Sequence, residues 1–363
     1  MSTNVRGDTR GQGKRLRAFP LRRRVLVLMG GRSSEHEVSI SSARGVLDAL
    51  DPARNDAMAV LISRRGAWTL DGEPVALAPG ADGRGRLVSL AGGRAREVDV
   101  VFPVLHGPFG EDGTVQGLCD MADLPCVGAG VAASAAAMDK ALFKALMRDA
   151  GLPVAGDAVV TEDEWRQSPD VVVQRVARQP GYPAFCKPAR LGSSVGISPV
   201  DDPESLPAAL DLAFAHDAKA LVERRIRGRE VEVSVLGNGG DLRTSPVGEI
   251  TYAADWYDYD TKYLPGRMTL VVPADIPAEV ADAARDLARR AFRAIGCSGM
   301  GRVDFFLEGD RLVISELNTI PGFTPTSVYA SLLAADGLTY PELVERLIDL
   351  AVEEAALRER YRH

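Results

Sequence analysis

Residues 301–318 read GRVDFFLEGDRLVISELN, two strand-like runs on either side of Gly309 and Asp310. Apolar runs that flank such a pair are typical of a β-hairpin. A three-residue loop places Glu308 opposite Leu312, and this is the register that we predict. A two-residue loop would force polar side chains into the apolar layer of the sheet, which is costly unless they find partners there.

The register decides which side chains share a face, because side chains alternate along a strand and paired residues point to the same side. One face then carries Arg302, Asp304, Glu316 and Asn318. The other face carries the predicted core, namely Val303, Phe305, Leu307, Val313 and Leu317. Two carboxylates and an amide oxygen at one spot suit Mg²⁺ or Mn²⁺, which prefer hard oxygen ligands. The alternative is a solvated polar face on which Arg302 pairs with Asp304.

The first part of the chain reads as an α/β unit. An apolar run at residues 24–29 is followed by a glycine-rich loop and by apolar residues at helical spacing, and residues 57–62 and 97–105 are further predicted strands. Alternating strands and helices predict a parallel sheet with helices on both faces, where ligands gather at the carboxyl ends of the strands. The loops at those ends carry Glu35, His36, His106 and Glu111, each of which also fits ordinary loop polarity.

The sequence pattern changes after residue 128. Residues 132–150 are rich in alanine and predict one helix, after which short β segments and a single helix at residues 203–215 predict a small α+β domain. A third unit holds the hairpin and two helices, at residues 277–294 and 340–360. The predicted organisation is a leader at 1–22, an α/β domain at 23–128, a central domain at 129–223 and a C-terminal domain at 224–363.

Two loops are candidates for nucleotide chemistry. Lys187 ends a predicted strand and is followed by the loop PARLGSSVG at residues 188–196, whose backbone N–H groups can point at phosphate oxygens. This loop lacks the Walker A spacing, and a plain glycine-rich turn is the alternative. Residues 256–266, WYDYDTKYLPG, have no period and are typical of a lid, with an ordinary surface loop as the alternative.

Composition and charge exclude several classes of protein. Of the 363 residues, 46% are hydrophobic and 26% charged, which excludes wholesale disorder. The net charge of −7 argues against a dedicated nucleic-acid binder, although residues 1–24 carry eight basic residues against one aspartate and predict a disordered basic leader. No apolar run approaches the roughly 18–20 residues of a membrane span, and the leader lacks the core of a secretory signal. Four cysteines without a C-x-x-C pair predict free thiols in a reducing cytoplasm.

Taken together, these segments resemble the D-alanine–D-alanine ligase family of the ATP-grasp superfamily. The matching stretches lie in the family's order and span almost all of residues 25–340, namely residues 30–39, 106–113, 138–140, 187–196, 257–263, 301–306 and 316–322. The resemblance implies a three-domain ATP-grasp architecture with ATP between the central and C-terminal domains. It implies that ATP phosphorylates one D-alanine carboxylate and that the amine of a second D-alanine attacks the acyl phosphate, for peptidoglycan precursors. It also implies a homodimer.

The resemblance assigns substrate roles to residues at the matching positions. Glu35 would hold the ammonium group of the first D-alanine and begin a hydrogen-bonded chain through Ser193 to Tyr263. His106 would lie beside the same substrate. Ser327 would fix the carboxylate of the second D-alanine.

The resemblance assigns the nucleotide, its metal ions and the oxyanion to a second set of residues. The implied ATP contacts are Lys140, Lys187, Ser194 and the lid residue Lys262 at the phosphates, Glu223 at the adenine amino group and Glu230 at the ribose hydroxyls. Two Mg²⁺ or Mn²⁺ ions would be bound by Asp304, Glu316 and Asn318. Arg302 and the Gly322 backbone N–H would stabilise the tetrahedral oxyanion.

Three other functions stay open at this point. A sister ligase would make D-alanyl-D-lactate or D-alanyl-D-serine, another ATP-grasp ligase would join a different carboxylate and amine, and a non-catalytic module would only bind nucleotide. The chain departs from the expected pattern at Arg190, Gly301 and Val328, none of which removes a catalytic group.

Overall fold

A computed structural model shows three β-sheets with helices packed against them. The structure describes residue 20 and residues 22–192, 195–252 and 268–361. Nearly all of the predicted leader and the whole predicted lid lie outside the described residues. The predicted site residues Ser193, Ser194, Lys262 and Tyr263 lie outside them as well.

The first sheet has seven strands in the order β6-β5-β4-β3-β2-β1-β7. The strands are β1 (Arg23–Gly30), β2 (Asn55–Ile62), β3 (Trp68–Leu70), β4 (Glu73–Pro79), β5 (Gly85–Ser89), β6 (Arg96–Glu97) and β7 (Val100–Pro103). The pairings of β1 with β2 and β7 are parallel, as predicted. The pairings from β2 through β3, β4 and β5 to β6 are antiparallel, so the sheet is mixed and not parallel throughout. Asp71 and Gly72 both adopt positive φ, as a tight two-residue turn requires, and this turn makes β3 and β4 antiparallel.

Helices cover both faces of this sheet, as the sequence predicts. Helix α1 (His36–Ala49) packs Ala43 and Val46 against Val25 and Val27 of β1. Helix α2 (Thr114–Met121) lies in the second core with the alternate β1 residues Leu26 and Leu28. The carboxyl end of β1 and the loop after β7 therefore bring the segments that begin α1 and α2 to one edge of the sheet.

The second sheet is fully antiparallel, with strand order β10-β9-β11-β8. Its strands are β8 (Asp157–Thr161), β9 (Ala184–Pro188), β10 (Ser198–Val200) and β11 (Lys219–Arg224). The prediction of a single helix in this region is wrong, because the structure shows α5 (Glu162–Gln167), α6 (Pro169–Arg178) and α7 (Leu206–Phe214). Helix α6 buries Val172 and Val176, at helical spacing, in the core of this sheet.

The third sheet joins six antiparallel strands in the order β15-β14-β12-β16-β17, with β13 beside β12. They are β12 (Arg229–Asn238), β13 (Asp241–Thr244), β14 (Gly248–Tyr252), β15 (Met268–Val271), β16 (Gly299–Glu308) and β17 (Arg311–Asn318). One face packs against α3 (Val131–Met138), α4 (Lys140–Asp149) and α8 (Ala278–Ala294) in the largest core of the described chain. The opposite face carries polar side chains.

A β-bulge corrects the predicted register of the β16–β17 hairpin. The hairpin closes on a two-residue loop with Glu308 opposite Arg311, so the predicted three-residue loop is wrong. The pairing shifts by one residue between Asp304 and Phe305, and beyond this bulge Asp304 lies opposite Glu316 and Arg302 opposite Asn318, as predicted. One extra residue flips every later side chain to the other face. Ile314 therefore joins Phe305 in the core of this sheet, whereas the predicted core residue Val313 is buried on the other face, opposite Phe306.

The predicted helix over residues 132–150 is two helices. Asp139 takes an extended conformation between α3 and α4, and its carboxylate accepts a hydrogen bond from the Leu142 backbone N–H. Such a carboxylate satisfies one of the unpaired N–H groups at a helix start. The break makes Lys140 the first residue of α4.

Two C-terminal helices connect the first and third sheets. Helices α9 (Val328–Ala335) and α10 (Tyr340–Arg358) share a core with α1, β1 and β7 and with Leu236 and Met300 of the third sheet. No helix among the described residues is long and apolar enough to cross a bilayer. The four cysteines are buried free thiols.

Substitution of Leu347 by alanine tests this shared core. Leu347 lies on α10 with no exposed surface. Leu347→Ala is expected to lower the free energy of unfolding by about 2–5 kcal/mol, because it removes buried methyl groups and leaves a cavity. Leu357→Ala, on the same helix but 40% exposed, is the matched control and is expected to change it by less than about 0.5 kcal/mol. Equal losses in chemical denaturation would contradict the shared core.

Candidate active site

The polar face of the third sheet gathers charged groups around Arg302. Its guanidinium donates from Nε to Asp304 Oδ1 and from Nη2 to Asp304 Oδ2, both at 2.7 Å. Asn318 Nδ2 donates to Asp304 Oδ2 at 2.9 Å. Glu316 lies opposite Asp304 and 3.7 Å from the ammonium group of Lys140. The face therefore contains the predicted oxygen ligands, and Arg302 pairs with Asp304 as the alternative interpretation expected.

Glu232 belongs to the same face and was missed in the sequence. It lies on β12 opposite Asp304, its side chain is 5% exposed, and its Oε2 is 2.8 Å from Arg302 Nε. Three carboxylates thus form a row across β12, β16 and β17. The signal was the alternation Glu230-Val231-Glu232-Val233, which places both glutamates on the polar face of one strand.

Lys187, which the sequence predicts to contact phosphates, belongs to a buried triad with Glu223 and Lys144. Glu223 accepts hydrogen bonds from Lys144 Nζ and Lys187 Nζ, each at 2.5 Å. Burial alone would raise the pKa of Glu223, but the two ammonium groups outweigh it and hold that pKa at about 2. Lys144 has no exposed surface, and the sequence reasoning missed it.

Lys187 keeps its charge in this setting. Burial lowers the pKa of Lys187, but Glu223 opposes burial and leaves that pKa above its ordinary value. Lys140, on the neighbouring helix, donates from Nζ to the Leu191 carbonyl at 2.8 Å. Two lysine ammonium groups therefore converge on one cavity from β9 and α4.

That cavity has a volume of about 300 Å³. It extends from the lysines past Phe185 and Ile226 to Glu230, which accepts a hydrogen bond from the Tyr252 hydroxyl at 2.5 Å. A cavity with the apolar side chains Phe185 and Ile226 between a carboxylate and two lysines suits a nucleotide, whose base is flat and whose phosphates are anionic.

A second cavity of about 390 Å³ lies on the other side of Arg302. Its wall includes Glu35, His106, Gly322 and Ser327. The two cavities share Lys140, Gly192, Arg302 and Glu316. A group in one cavity can therefore react with a group in the other at the row of carboxylates.

The loop after β7 forms hydrogen bonds to the backbone that follows β17. His106 Nδ1 lies 3.0 Å from the Ile320 carbonyl oxygen, and Glu111 Oε1 accepts from the Ile320 N–H at 3.1 Å. Glu111 Oε2 accepts from the Gly107 N–H at 2.7 Å. One loop thus holds both polar backbone groups of Ile320, two residues before Gly322.

His106 and Glu111, the two residues that hold the Ile320 backbone, have shifted pKa values. Burial lowers the pKa of His106, although Glu35 opposes it, so the imidazole is neutral and Nδ1 donates to the Ile320 carbonyl. Burial, reinforced by the charge of Glu35, raises the pKa of Glu111 to about 8. Perturbed groups in a cleft are typical of functional sites.

Residues that directly precede two helices form part of the wall of the second cavity. Glu35 is the residue before α1 and is 9% exposed. Ser327 is the residue before α9, and its Oγ accepts from the Thr324 N–H at 2.9 Å. A Cβ added to Gly322 would lie 3.3 Å from Ser327 Oγ, so these two residues are direct neighbours.

Two family models match the chain. "D-ala D-ala ligase N-terminus" matches residues 24–129 and "D-ala D-ala ligase C-terminus" matches residues 146–349, which is more than half of the chain. The chain belongs to the D-alanine–D-alanine ligase family. Its fold is accordingly the mixed α/β ATP-grasp fold that the sequence resemblance implied.

Curated relatives and solved structures agree with this membership. A D-alanine–D-alanine ligase of Deinococcus radiodurans is 49% identical over 340 residues, which covers 92% of this chain and all of that one. A D-alanine–D-alanine ligase of Coxiella burnetii has a TM-score of 0.83 at 35% identity, covering 94% of this chain and 97% of that one. The VanG D-Ala:D-Ser ligase of Enterococcus faecalis also has a TM-score of 0.83, at 33% identity, covering 91% and 99%.

Most of the family positions named from the sequence come together around the two cavities. These are Glu35, His106, Lys140, Lys187, Glu223, Glu230, Arg302, Asp304, Glu316, Asn318, Gly322 and Ser327. Their roles in the family remain predictions. The structure adds Lys144 and Glu232, which the sequence did not assign to the site, and places the loop candidate Glu111 in the wall of the second cavity.

Removal of Lys144 tests the buried triad. Lys144→Met is expected to lower the free energy of unfolding by about 3–5 kcal/mol, because it leaves Glu223 buried with one cationic partner. Arg166→Met is the control, since Arg166 is 71% exposed in its ion pair with Glu162. Its expected loss is about 0–1 kcal/mol. If denaturant titrations of the two variants gave the same small loss, Lys144 would not support Glu223.

The raised pKa of Glu111 predicts a pH dependence of stability. A carboxyl whose pKa is about 8 in the folded chain, against an ordinary value of 4.5, binds more protons when folded. Its contribution to stability is therefore present below about pH 4.5 and is lost as the pH rises towards 8. Glu111→Gln removes this titration, so the free energy of unfolding of the parent should fall relative to the variant between pH 5 and pH 8.5. Parallel curves in ligand-free thermal melts would show that Glu111 titrates normally.

Proposed function

We propose that the chain uses ATP to join two D-alanine molecules into D-alanyl-D-alanine through an acyl phosphate, and so makes a peptidoglycan precursor. The observation that carries this proposal is that the two cavities meet at Lys140, Arg302 and Glu316. One cavity suits a nucleotide, and the other presents a carboxylate and a hydroxyl to an amino acid. Phosphoryl transfer needs its donor and acceptor held in one place, and this junction provides it.

The second cavity is proposed to hold both amino acids. Glu35 binds the ammonium group of the first D-alanine, with His106 beside it. Ser327 binds the carboxylate of the second. Arg302 and the Gly322 backbone N–H face the tetrahedral oxyanion; one such donor typically contributes about 2.7–4 kcal/mol to the transition state.

The first cavity is proposed to hold ATP. Lys140 and Lys187 neutralise the phosphates, and Glu230 binds the ribose hydroxyls. Glu223 accepts from the adenine amino group, for which its oxygens retain lone pairs beside the two lysine contacts.

The donor set on the polar face fits divalent cations. Asp304, Glu316 and Asn318 offer only hard oxygen ligands, and the face already binds a positive charge, the Arg302 guanidinium. We propose that these three residues hold two Mg²⁺ or Mn²⁺ ions. The ions, when bound, neutralise the charge that develops on the transferring phosphoryl group.

Four further roles come from the family resemblance alone. Ser193 and Tyr263 complete the hydrogen-bonded chain from Glu35, while Ser194 and Lys262 contact the phosphates. A closed lid is needed because water hydrolyses an acyl phosphate. We also propose that the chain is a homodimer acting in the cytoplasm, where ATP is available; light scattering in solution tests the dimer.

A second candidate substrate has a specific observation in its favour. The VanG neighbour, of equal TM-score to the Coxiella ligase, is a D-Ala:D-Ser ligase. The relatives of this chain at 43–49% identity are named D-alanine–D-alanine ligases, which supports the dipeptide of two D-alanines.

Phosphate release from ATP and Mg²⁺ tests the reaction. The assay adds D-alanine, L-alanine, or D-alanine with D-serine or D-lactate in competition, and identifies the product by mass. We expect phosphate release in every assay that contains D-alanine and none with L-alanine alone, with D-alanyl-D-alanine as the main product in each competition. A mixed D-alanyl-D-serine product would favour the second candidate, and no release with any of them would overturn both.

Substitution of Glu316 tests the metal site. Glu316→Gln is expected to lower kcat by about 100-fold or more, since it removes a charged metal ligand from phosphoryl transfer. Glu308→Gln is the control on the same hairpin, because Glu308 pairs with Arg224 at the far side of the bulge. Circular dichroism checks that both variants fold. Turnover of Glu316→Gln close to that of the control would remove Glu316 from the site.

A further inference from the structure

Arg302 lies between two carboxylates on adjacent strands. Its Nε is 2.7 Å from Asp304 Oδ1 on its own strand and 2.8 Å from Glu232 Oε2 on β12. The Nε proton is donated to Asp304, so the contact with Glu232 is an ion pair. The guanidinium therefore has a second buried anion within reach without any movement of the backbone.

Asp304 uses both carboxylate oxygens on N–H donors. Oδ1 accepts from Arg302 Nε, and Oδ2 accepts from Arg302 Nη2 and Asn318 Nδ2. A divalent cation at Asp304 competes with these donors for the oxygen lone pairs and repels the guanidinium. Binding of the cation to Asp304 therefore favours release of at least part of the bidentate contact with Arg302.

The released guanidinium needs another anion. The Arg302 side chain is 16% exposed, and a cation this buried is strongly destabilised without a charged partner. The strand order indicates where the guanidinium would move. Glu232 lies on the β12 side of Asp304, whereas Glu316 and Asn318 lie on the β17 side. The guanidinium and the metal ion can thus occupy opposite sides of Asp304.

We propose that Glu232 is a positioning residue that holds Arg302 when Asp304 exchanges the guanidinium for a divalent cation. This inference rests on the proposed metal site at Asp304, Glu316 and Asn318. Glu232 does not contact the cation. It lowers the free energy of the metal-bound arrangement and keeps Arg302 where the oxyanion forms.

A Mn²⁺ binding titration tests the positioning role of Glu232 without enzyme turnover. Mn²⁺ is titrated into the protein in the presence of a non-hydrolysable ATP analogue, and free Mn²⁺ is followed by electron paramagnetic resonance. Glu232→Gln is expected to raise the Kd of Mn²⁺ about 10-fold, because Arg302 then keeps its contact with Asp304 and competes with the ion. Glu232→Asp, which retains the charge, is expected to restore most of the affinity. Glu249→Gln, which breaks an arginine pair elsewhere on the same sheet, is the control and should leave the Kd unchanged.

A double-mutant cycle separates positioning from simple loss of negative charge. In an Arg302→Met background there is no guanidinium to hold, so Glu232→Gln should change the Kd of Mn²⁺ by less than about 2-fold. The same 10-fold rise in both backgrounds would mean that Glu232 acts on the ion directly and would overturn the proposal. A Kd within 2-fold of the parent for Glu232→Gln would overturn it as well.

The metal site itself is tested in the same titration. Asp304→Asn is expected to weaken Mn²⁺ binding more than Glu232→Gln does. If Asp304→Asn leaves the Kd unchanged, the proposed metal site fails and the role of Glu232 fails with it. If Asp304→Asn weakens Mn²⁺ binding but the Glu232 variants bind Mn²⁺ as the parent does, the metal site stands and the positioning role alone is wrong.

Discussion

The bulge in the β16–β17 hairpin is the constraint on which the candidate site depends. A strand offers one apolar and one polar face only while its register holds, and the two-residue loop alone would place Asp304 and Glu316 on opposite faces. The shift between Asp304 and Phe305 resolves this conflict. Phe305 and Ile314 then lie in the core, while Asp304 and Glu316 lie side by side on the other face.

The site also depends on contacts between sheets. His106 and Glu111 hold the backbone of Ile320, which connects β17 to Gly322. The loop of the first sheet thereby fixes the turn that carries the proposed oxyanion donor. The loop after β7 therefore positions the backbone that follows β17, in addition to the contact that His106 is proposed to make with substrate.

Side-chain alternation and turn residues explain what the sequence could predict. Alternation in residues 301–318 was enough to place Arg302, Asp304, Glu316 and Asn318 on one face, although the loop length was wrong, because a bulge leaves no reliable signal in the residues themselves. The break at Asp139 was missed because its neighbours are good helix formers, and α6 was missed because a run of valines is more typical of a strand. Lys144 and Glu232 were missed because their importance comes from partners on distant strands.

The proposed reaction requires this site to activate a D-alanine carboxylate by phosphorylation. The most direct test uses D-alanine labelled with ¹⁸O in both carboxylate oxygens, with ATP and Mg²⁺, and mass analysis of the phosphate released. An acyl phosphate requires one labelled oxygen to leave with each phosphate, since the amine attacks the carbonyl carbon and breaks its bond to that oxygen. Phosphate carrying one ¹⁸O is the predicted result. Unlabelled phosphate formed together with the dipeptide would contradict an acyl phosphate intermediate.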